Sequence, residues 1–308
     1  MKKKIAVWLF LIFVSVSFLV MPVVIAESYE NFGQSLYIWR LVNEVRQNPV
    51  QSLSALGIDV NAVRMHLGVE SWIIDRKLPP LALNFNLHQS AEQHNEDMIN
   101  NGYIAYTSPD GEPSFEDRIS STGYDAVHTG ESIGALTFAT YMDSFDSAKV
   151  ILVNMIKDEL FADYPRNYRI FSGIFTEIGL SMRAGNISFD QNSTEKAYVV
   201  VMDFGLPVEK RSFIIGNTLK PALNGGIFDF KRGVGGVAVV FKDVFRNIEQ
   251  TSVSTPALGA FQFLKKSPSP GFMLLKALNS DGSLNTLKTF QTEDKNEIYD
   301  LEIDASYY

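Results

Sequence analysis

Three short stretches decide the fold of this chain: Gly130-Glu-Ser-Ile-Gly134, Phe175-Thr-Glu-Ile-Gly179 and Asp203-Phe-Gly205. The last two lie in apolar segments, Glu177–Met182 and Ala197–Phe204, whose composition predicts β-strands. The polar stretch between them, Gly185–Glu195, is typical of a hairpin loop. The sequence therefore predicts a small sheet in this part of the chain.

Helical spacing of apolar residues surrounds these strands. It occurs at 36–45, at 87–98 and over Phe138–Leu160. The first helix is expected to stop near Asn48-Pro49, because a proline disfavours helical geometry in the residue before it. The second is expected to end at Gly102, since glycine commonly closes helices. Helical pieces broken at Gly57 and Gly68 are predicted between them.

The composition changes near Pro207. Short alternating apolar runs follow, separated by Gly, Pro, Ser and Asn, at 213–215, 237–241, 260–264, 271–277 and 299–303. About seven short strands with turn signals predict a β-sandwich. The expected domains are residues 32–206, with mixed helices and strands, and residues 211–308, with strands only.

The N-terminus predicts export. Lys2-Lys3-Lys4 precedes an apolar run that closes with Val24-Ile25-Ala26, which is typical of a cleaved signal peptide over residues 1–26. The run is also long enough to be a retained membrane anchor. The preferred interpretation is cleavage, with no further membrane span and an extracellular, cell-surface or periplasmic location.

Composition excludes several classes of function. The 308 residues include no Cys, so neither a disulfide nor a thiolate nucleophile is available. The formal net charge is −8, which disfavours nucleic acid as a partner because phosphates attract basic surfaces.

The ordered motifs of the first domain resemble the CAP superfamily, which comprises cysteine-rich secretory proteins, antigen 5, pathogenesis-related proteins and bacterial SCP-like relatives. The matching segments are Leu78-Pro-Pro-Leu81, the Ala91, His94 and Met98 helix, Gly102–Gly111, Gly123-Tyr124 and the three stretches quoted above. The resemblance implies an α+β fold, an α-β-α sandwich followed here by an all-β sandwich. The tail resembles prealbumin-like sandwiches of the CNA-B or SdrD-B type.

The resemblance also implies a cleft with two His and two Glu, where some members bind a divalent ion. Here the first His position is Tyr106, the first Glu is Glu131 and the second His position is Arg166. The second Glu belongs to the following helix, where Asp143 and Asp146 are candidates. Because Tyr106, Glu131 and Arg166 are a poor zinc set, no metal or other cofactor is expected.

Two contacts of Glu131 are predicted in this cleft: a hydrogen bond to Tyr106 or an ion pair with Arg166. His128, three residues before Glu131, is either an exposed loop residue or a replacement for the missing imidazole. His94 is expected to be a buried structural histidine, because it shares the apolar helix face. His88 and His94 are poor co-ligands, since six residues separate them.

Gly130-Glu-Ser-Ile-Gly134 also fits the G-x-S-x-G nucleophile elbow of esterases. That arrangement requires a His after the Ser, whereas all four His precede Ser132. An α/β-hydrolase triad is therefore excluded.

The preferred function is an exported, non-catalytic binding or scaffold module with a degenerate cleft at Tyr106, His128, Glu131 and Arg166. Its ligand would be a small amphiphile, a peptide or a component of the cell envelope. One alternative is a secreted, peptidase-like hydrolase that uses Glu131 with His128. The other is a structural cell-surface protein.

Overall fold

The computed structural model describes residues 32–107, 109, 111, 113–140, 142–163, 166–190, 193–221, 228–244, 246–256, 258–265, 272–279 and 281–304. The predicted signal peptide, residues 1–26, lies outside these residues, and the Gly102–Gly111 segment lies partly outside them. None of the helices described is long and apolar enough to cross a bilayer.

Helices surround the sheet of the first half. Their bounds are α1 32–47, α2 Pro49–Ala55, α3 Val60–Leu67, α4 Trp72–Asp75, α5 Phe85–Asn101, α6 Phe115–Ser121 and α7 Ser144–Phe161. The helix breaks predicted at Asn48-Pro49, Gly57 and Gly68 are present. Gly102 ends α5 with a φ of 70°, a left-handed conformation that glycine adopts without strain.

The sheet contains β1 (Ala82–Leu83), β2 (Ala126–Thr137), β3 (Glu177–Asp190) and β4 (Ser193–Pro207), in the order β1-β3-β4-β2. Helix α5 packs on one face, where Ala91 and Met98 contact Val199 and Val201. Helices α1 and α7 pack on the other, against Val200, Met202 and Phe204. The predicted α-β-α sandwich is confirmed.

A close contact fixes α5 against β3. A Cβ atom at Gly179 would lie 2.0 Å from the backbone nitrogen of His88, so only glycine fits at this position. The glycine of Phe175-Thr-Glu-Ile-Gly179 is thus required by helix–sheet packing.

Two predicted boundaries were wrong. The helix expected from Phe138 begins at Ser144, because β2 continues to Thr137 and Asp143 caps the helix by accepting the Phe145 and Asp146 N–H groups. The hairpin loop expected over Gly185–Glu195 is mostly strand. Its residues pair across β3 and β4 as far as Asp190 and Ser193, so the cross-strand ladder overrides the polar composition.

The second half is all β, as predicted. Its strands are β5 Phe213–Leu219, β6 Ala238–Asp243, β7 Ile248–Val253, β8 Ala260–Leu264, β9 Phe272–Leu278, β10 Leu284–Gln291, β11 Glu297–Ile298 and β12 Leu301–Glu302. One sheet has the order β10-β9-β6-β7, and the other is built around β5. The apolar runs of the sequence did not predict β7 and β10, whose side chains are mostly polar and are exposed or half-buried with one exception.

The two halves share one hydrophobic core. Leu36 and Tyr37 of α1 belong to the same buried cluster as Phe213, Phe228 and Leu258. Polar contacts add to it. The Arg40 guanidinium donates to both carboxylate oxygens of Asp300, at 3.0 and 2.8 Å.

The second half also covers the β1 edge of the first sheet. The Gln262 side chain accepts from the Leu83 N–H at 2.8 Å and donates to the Leu83 carbonyl at 2.9 Å. One side-chain amide thus replaces a neighbouring strand at this residue.

Gln262→Ala is expected to lower the free energy of unfolding by about 1–3 kcal/mol, because it leaves two partly buried backbone groups of Leu83 without partners. Urea denaturation of the full chain measures this change. Gln250→Ala is the matched control, since Gln250 makes one exposed bond to the Leu264 carbonyl. Equal effects of the two substitutions would contradict this account of the edge.

Candidate functional site

Strand β2 presents different residues of Gly130-Glu-Ser-Ile-Gly134 to the two faces of the sheet. Glu131 lies opposite Asp203 on β4, on the face covered by α5. Ser132 lies on the α7 face with Gly130 and Gly134, since side chains alternate along a strand. A Cβ atom at Gly134 would lie 2.7 Å from Met155, and one at Gly130 would lie 2.7 Å from Arg169. The glycines therefore leave room for these two side chains.

The Glu131 carboxylate is fully enclosed, with its side chain 0% exposed. Its Oε1 accepts from Arg118 of α6 at 2.5 Å and lies 3.0 Å from Nδ1 of His94 on α5. Arg118 and His94 are themselves buried. Glu131 thus joins the sheet to two helices.

Asp203 is a second buried carboxyl beside Glu131. Burial raises its pKa well above the ordinary value, and the negative charge of Glu131 raises it further, whereas Ser90 and Arg118 oppose the shift. A protonated Asp203 leaves one carboxylate charge for one guanidinium, which lowers the cost of burying the network.

A cleft of about 510 Å³ opens on the α7 side of β2. Its polar side chains are Tyr106, Ser132, Asp158, Glu159, Asn167 and Arg169, and its apolar ones are Phe115, Ile133, Met155 and Ala162. Tyr106 is 55% exposed. Burial of its hydroxyl raises the Tyr106 pKa, and a hydrogen bond from the Ile133 backbone opposes the shift.

Two charged side chains hold the loop that ends the cleft. Glu159, on the last turn of α7, accepts the Ile170 N–H at 2.9 and 3.0 Å and the Phe171 N–H at 3.5 Å. Arg46 donates to the carbonyls of Ile170 and Ser172, each at 2.8 Å. Burial raises the pKa of Glu159 to about 7, although the backbone N–H groups oppose the shift.

The predicted contacts of Glu131 are wrong. Its partners are Arg118 and His94, while Tyr106 bonds to the Ile133 backbone. Arg166 forms an ion pair with Glu70 instead. The cationic side chain in the cleft is Arg169, three residues further along.

His128 and Glu131 are not brought together. His128 is exposed and lines a separate pocket of about 440 Å³ with Glu116 and Tyr124. Three residues apart on one strand, their side chains point to opposite faces.

The other histidines make local contacts. His94 is buried and hydrogen-bonded, as predicted. His88 lies 2.6 Å from the Leu180 carbonyl, and His66 lies 3.2 Å from the Ala162 carbonyl.

Two carboxylates of the helix after β2 line the cleft, the exposed Asp158 and the less exposed Glu159. The candidates Asp143 and Asp146 lie at the opposite end of α7, where Asp143 is the N-cap. The sequence carries one signal for Glu159, a Glu on the last turn of a helix that must pass the Gly130-to-Gly134 strand. Helical spacing alone does not show which turn meets that strand.

The cleft does not fit a transition metal. It contains no imidazole, and its carboxylates share the space with the Arg169 guanidinium. Among the residues described, no three His, Cys, Asp or Glu side chains form a group that could hold a metal ion.

Comparison with known proteins identifies the family. The sequence model of the cysteine-rich secretory protein family, CAP, matches residues 39–201. This range includes most of the sheet, the Glu131, Arg118 and His94 side chains, and the cleft. The chain belongs to this family. None of the curated proteins compared with it is a match.

Solved structures show more distant similarity. An extracellular protein containing an SCP domain from Bacillus anthracis str. Ames is 18% identical, with 53% of this chain and 41% of that one covered and a TM-score of 0.26. BcpA, the major pilin subunit of Bacillus cereus, is 11% identical, with 36% and 44% covered and a TM-score of 0.21. The chain thus spans less than half the length of these two solved chains.

Glu159→Gln is expected to change how stability depends on pH. A carboxyl whose folded pKa is raised from 4.5 to about 7 contributes stability that is fully present at low pH and is lost as the pH rises through 7. The wild type should therefore lose on the order of 1–3 kcal/mol between pH 4.5 and 8, and the variant should lose less.

Urea denaturation across this pH range measures the difference, with Asp158→Asn, the exposed neighbour, as the control. Parallel pH profiles for wild type and Glu159→Gln would contradict the assigned role of Glu159.

Proposed function

We propose that this CAP-family protein is exported and acts as a non-catalytic ligand-binding module. Its ligand would bind in the cleft between β2 and α7, and the β half would serve as a spacer or adhesion domain. The observation that carries the proposal is the enclosure of Glu131, with a fully buried side chain bound by Arg118 and His94.

This enclosure argues against the hydrolase alternative. A general base must reach the proton that it removes, whereas the Glu131 carboxylate has no exposed surface and faces α5. His128, the proposed partner, lies on the opposite face. Glu131 therefore contributes to stability and not to chemistry in the cleft.

The cleft supports recognition. Arg169 donates to the Asn167 side chain, and its buried Nε has no partner in the part of the chain that the structure describes. A guanidinium of this kind can bind a carboxylate or phosphate through paired hydrogen bonds. Phe115, Met155 and Ala162 add apolar surface beside it. These features fit a small ligand with one acidic group.

Export rests on the N-terminal sequence. The Lys2-Lys3-Lys4 start, the apolar run and the small residue Ala26 fit a signal peptide. The proposed spacer role rests on the hydrophobic core that both halves share, which holds the all-β half against the first half of the chain.

Three proteins test for catalysis: wild type, Glu131→Gln and His128→Ala. We expect none of them to hydrolyse casein or p-nitrophenyl acetate above background. Glu131→Gln should be less stable by about 1.5–3 kcal/mol in urea, because its bond to Arg118 loses its charge, and His128→Ala should match wild type within about 0.5 kcal/mol. Turnover by wild type that either substitution abolishes would overturn the proposal.

A further inference from the structure

Among the residues that the structure describes, strand β2 is an edge of the first sheet, and part of it lines the cleft. The N–H of Phe138, just beyond β2, donates to the Lys196 carbonyl of β4 at 2.9 Å. Hydrogen-bonding direction alternates along an antiparallel strand, and the β2–β4 register is unbroken from His128 to Thr137. The N–H and C=O groups of Glu131, Ile133 and Ala135 therefore point away from β4.

Part of this edge is exposed in the cleft. Glu131 lines the cleft although its side chain is 0% exposed and the whole residue is 3% exposed. The exposed part of Glu131 is therefore its backbone. The Ile133 backbone bonds to the Tyr106 hydroxyl, which occupies the place that a neighbouring carbonyl would take in a wider sheet.

The opposite edge of the same sheet is already covered. Gln262 satisfies both backbone groups of Leu83 on β1. An edge strand readily pairs with another extended chain, and β2 is the edge that lies beside the cleft and the Arg169 guanidinium.

The position of Arg169 predicts the direction in which such a chain would run beside β2. Its Cδ and Nε atoms pack over Gly130, within 2.7 Å of where a Cβ would lie. A ligand carboxylate on this guanidinium would lie near the start of the exposed edge. A peptide whose C-terminus lies there would run antiparallel to β2, and its preceding residues would pass Glu131 and Ile133.

We propose that the ligand of the cleft is an extended peptide with a free C-terminal carboxylate, bound as an added antiparallel strand beside β2. Its backbone pairs with Glu131 and Ile133, its carboxylate pairs with Arg169, and Tyr106 moves off Ile133 as it binds. Phe115, Met155 and Ala162 receive an apolar side chain. This inference rests on the proposed function, since it names the ligand of the same cleft.

The test uses the ¹⁵N-labelled full chain and amide signals of β2. The probe is an equimolar pool of pentapeptides, Thr-Xaa-Thr-Xaa-Leu with a free carboxylate, in which Xaa is Val, Ile, Tyr or Phe. Backbone pairing supplies affinity for many sequences in this mode of recognition. We expect slower hydrogen exchange at the Glu131 and Ile133 amides, and no change at Ser132, whose N–H faces β4.

Two chemical variants of the pool separate the contacts. C-terminal amidation should weaken binding about tenfold or more, because a charged hydrogen bond to Arg169 is lost. N-methylation of all four peptide nitrogens should abolish protection, since the methyl groups remove the N–H donors and clash with a neighbouring strand at either edge of the peptide. Neither comparison depends on the folding of a protein variant.

Protein variants then test the side chains. Arg169→Gln should remove the preference for acid over amide. The control is Arg183→Gln on β3, which loses ion pairs with Glu92 and Glu96 of α5 and should keep the preference. Tyr106→Phe should bind the acid pool severalfold more tightly. In this variant the Ile133 backbone has no hydrogen bond to a Tyr106 hydroxyl that must break before the peptide pairs with it.

Three outcomes would overturn the inference: no protection of Ile133 by the acid pool at millimolar concentration, equal binding of the N-methylated pool, or an unchanged acid preference in Arg169→Gln. Decanoate, which has a carboxylate and an apolar chain but no peptide backbone, is tested in parallel. Binding of decanoate at Arg169 without peptide binding would refute the added strand and leave the proposed binding module standing. Hydrolysis of the peptides by wild type would refute the module itself.

Discussion

The contact of Glu131 with Arg118 and His94 joins the central sheet to α5 and α6 through a single buried carboxylate. Removing one partner of such a buried pair leaves an uncompensated charge. Asp203 adjoins it with a raised pKa, which keeps the interior close to neutral. The arrangement of the first half therefore depends on an interaction that no ligand can reach.

The alternation of β2 follows from this constraint. Because side chains alternate along a strand, a β2 that buries the Glu131 side chain on one face places Ser132, Gly130 and Gly134 on the other. That second face and the strand edge form the cleft with α7, where Glu159 and Arg46 fix the loop that carries Arg169. The all-β half shares the core beneath α1 and covers the far edge. The sheet is thus closed at β1 and accessible at β2.

The sequence predicted the α-β-α layers, the β half and the structural role of His94, because apolar spacing and helix-ending glycines act locally. It missed the contacts that depend on the path of a loop. Arg166 and Arg169 are three residues apart, and only the hydrogen bonds of 170–172 decide which one enters the cleft. Glu159 was missed for a similar reason, since the turn of α7 that meets β2 depends on packing against Gly134. Strands β7 and β10 were missed because exposed polar strands lack an apolar pattern.

Carbodiimide coupling of an amine to the native full chain, followed by peptide mass spectrometry, measures whether the Glu131 carboxylate is enclosed. We expect exposed Asp158 and Glu116 to be modified in the native protein and Glu131 to be modified only after denaturation. Modification of Glu131 in the native protein at the rate of Asp158 would show that its carboxylate belongs to the cleft, and would contradict the account.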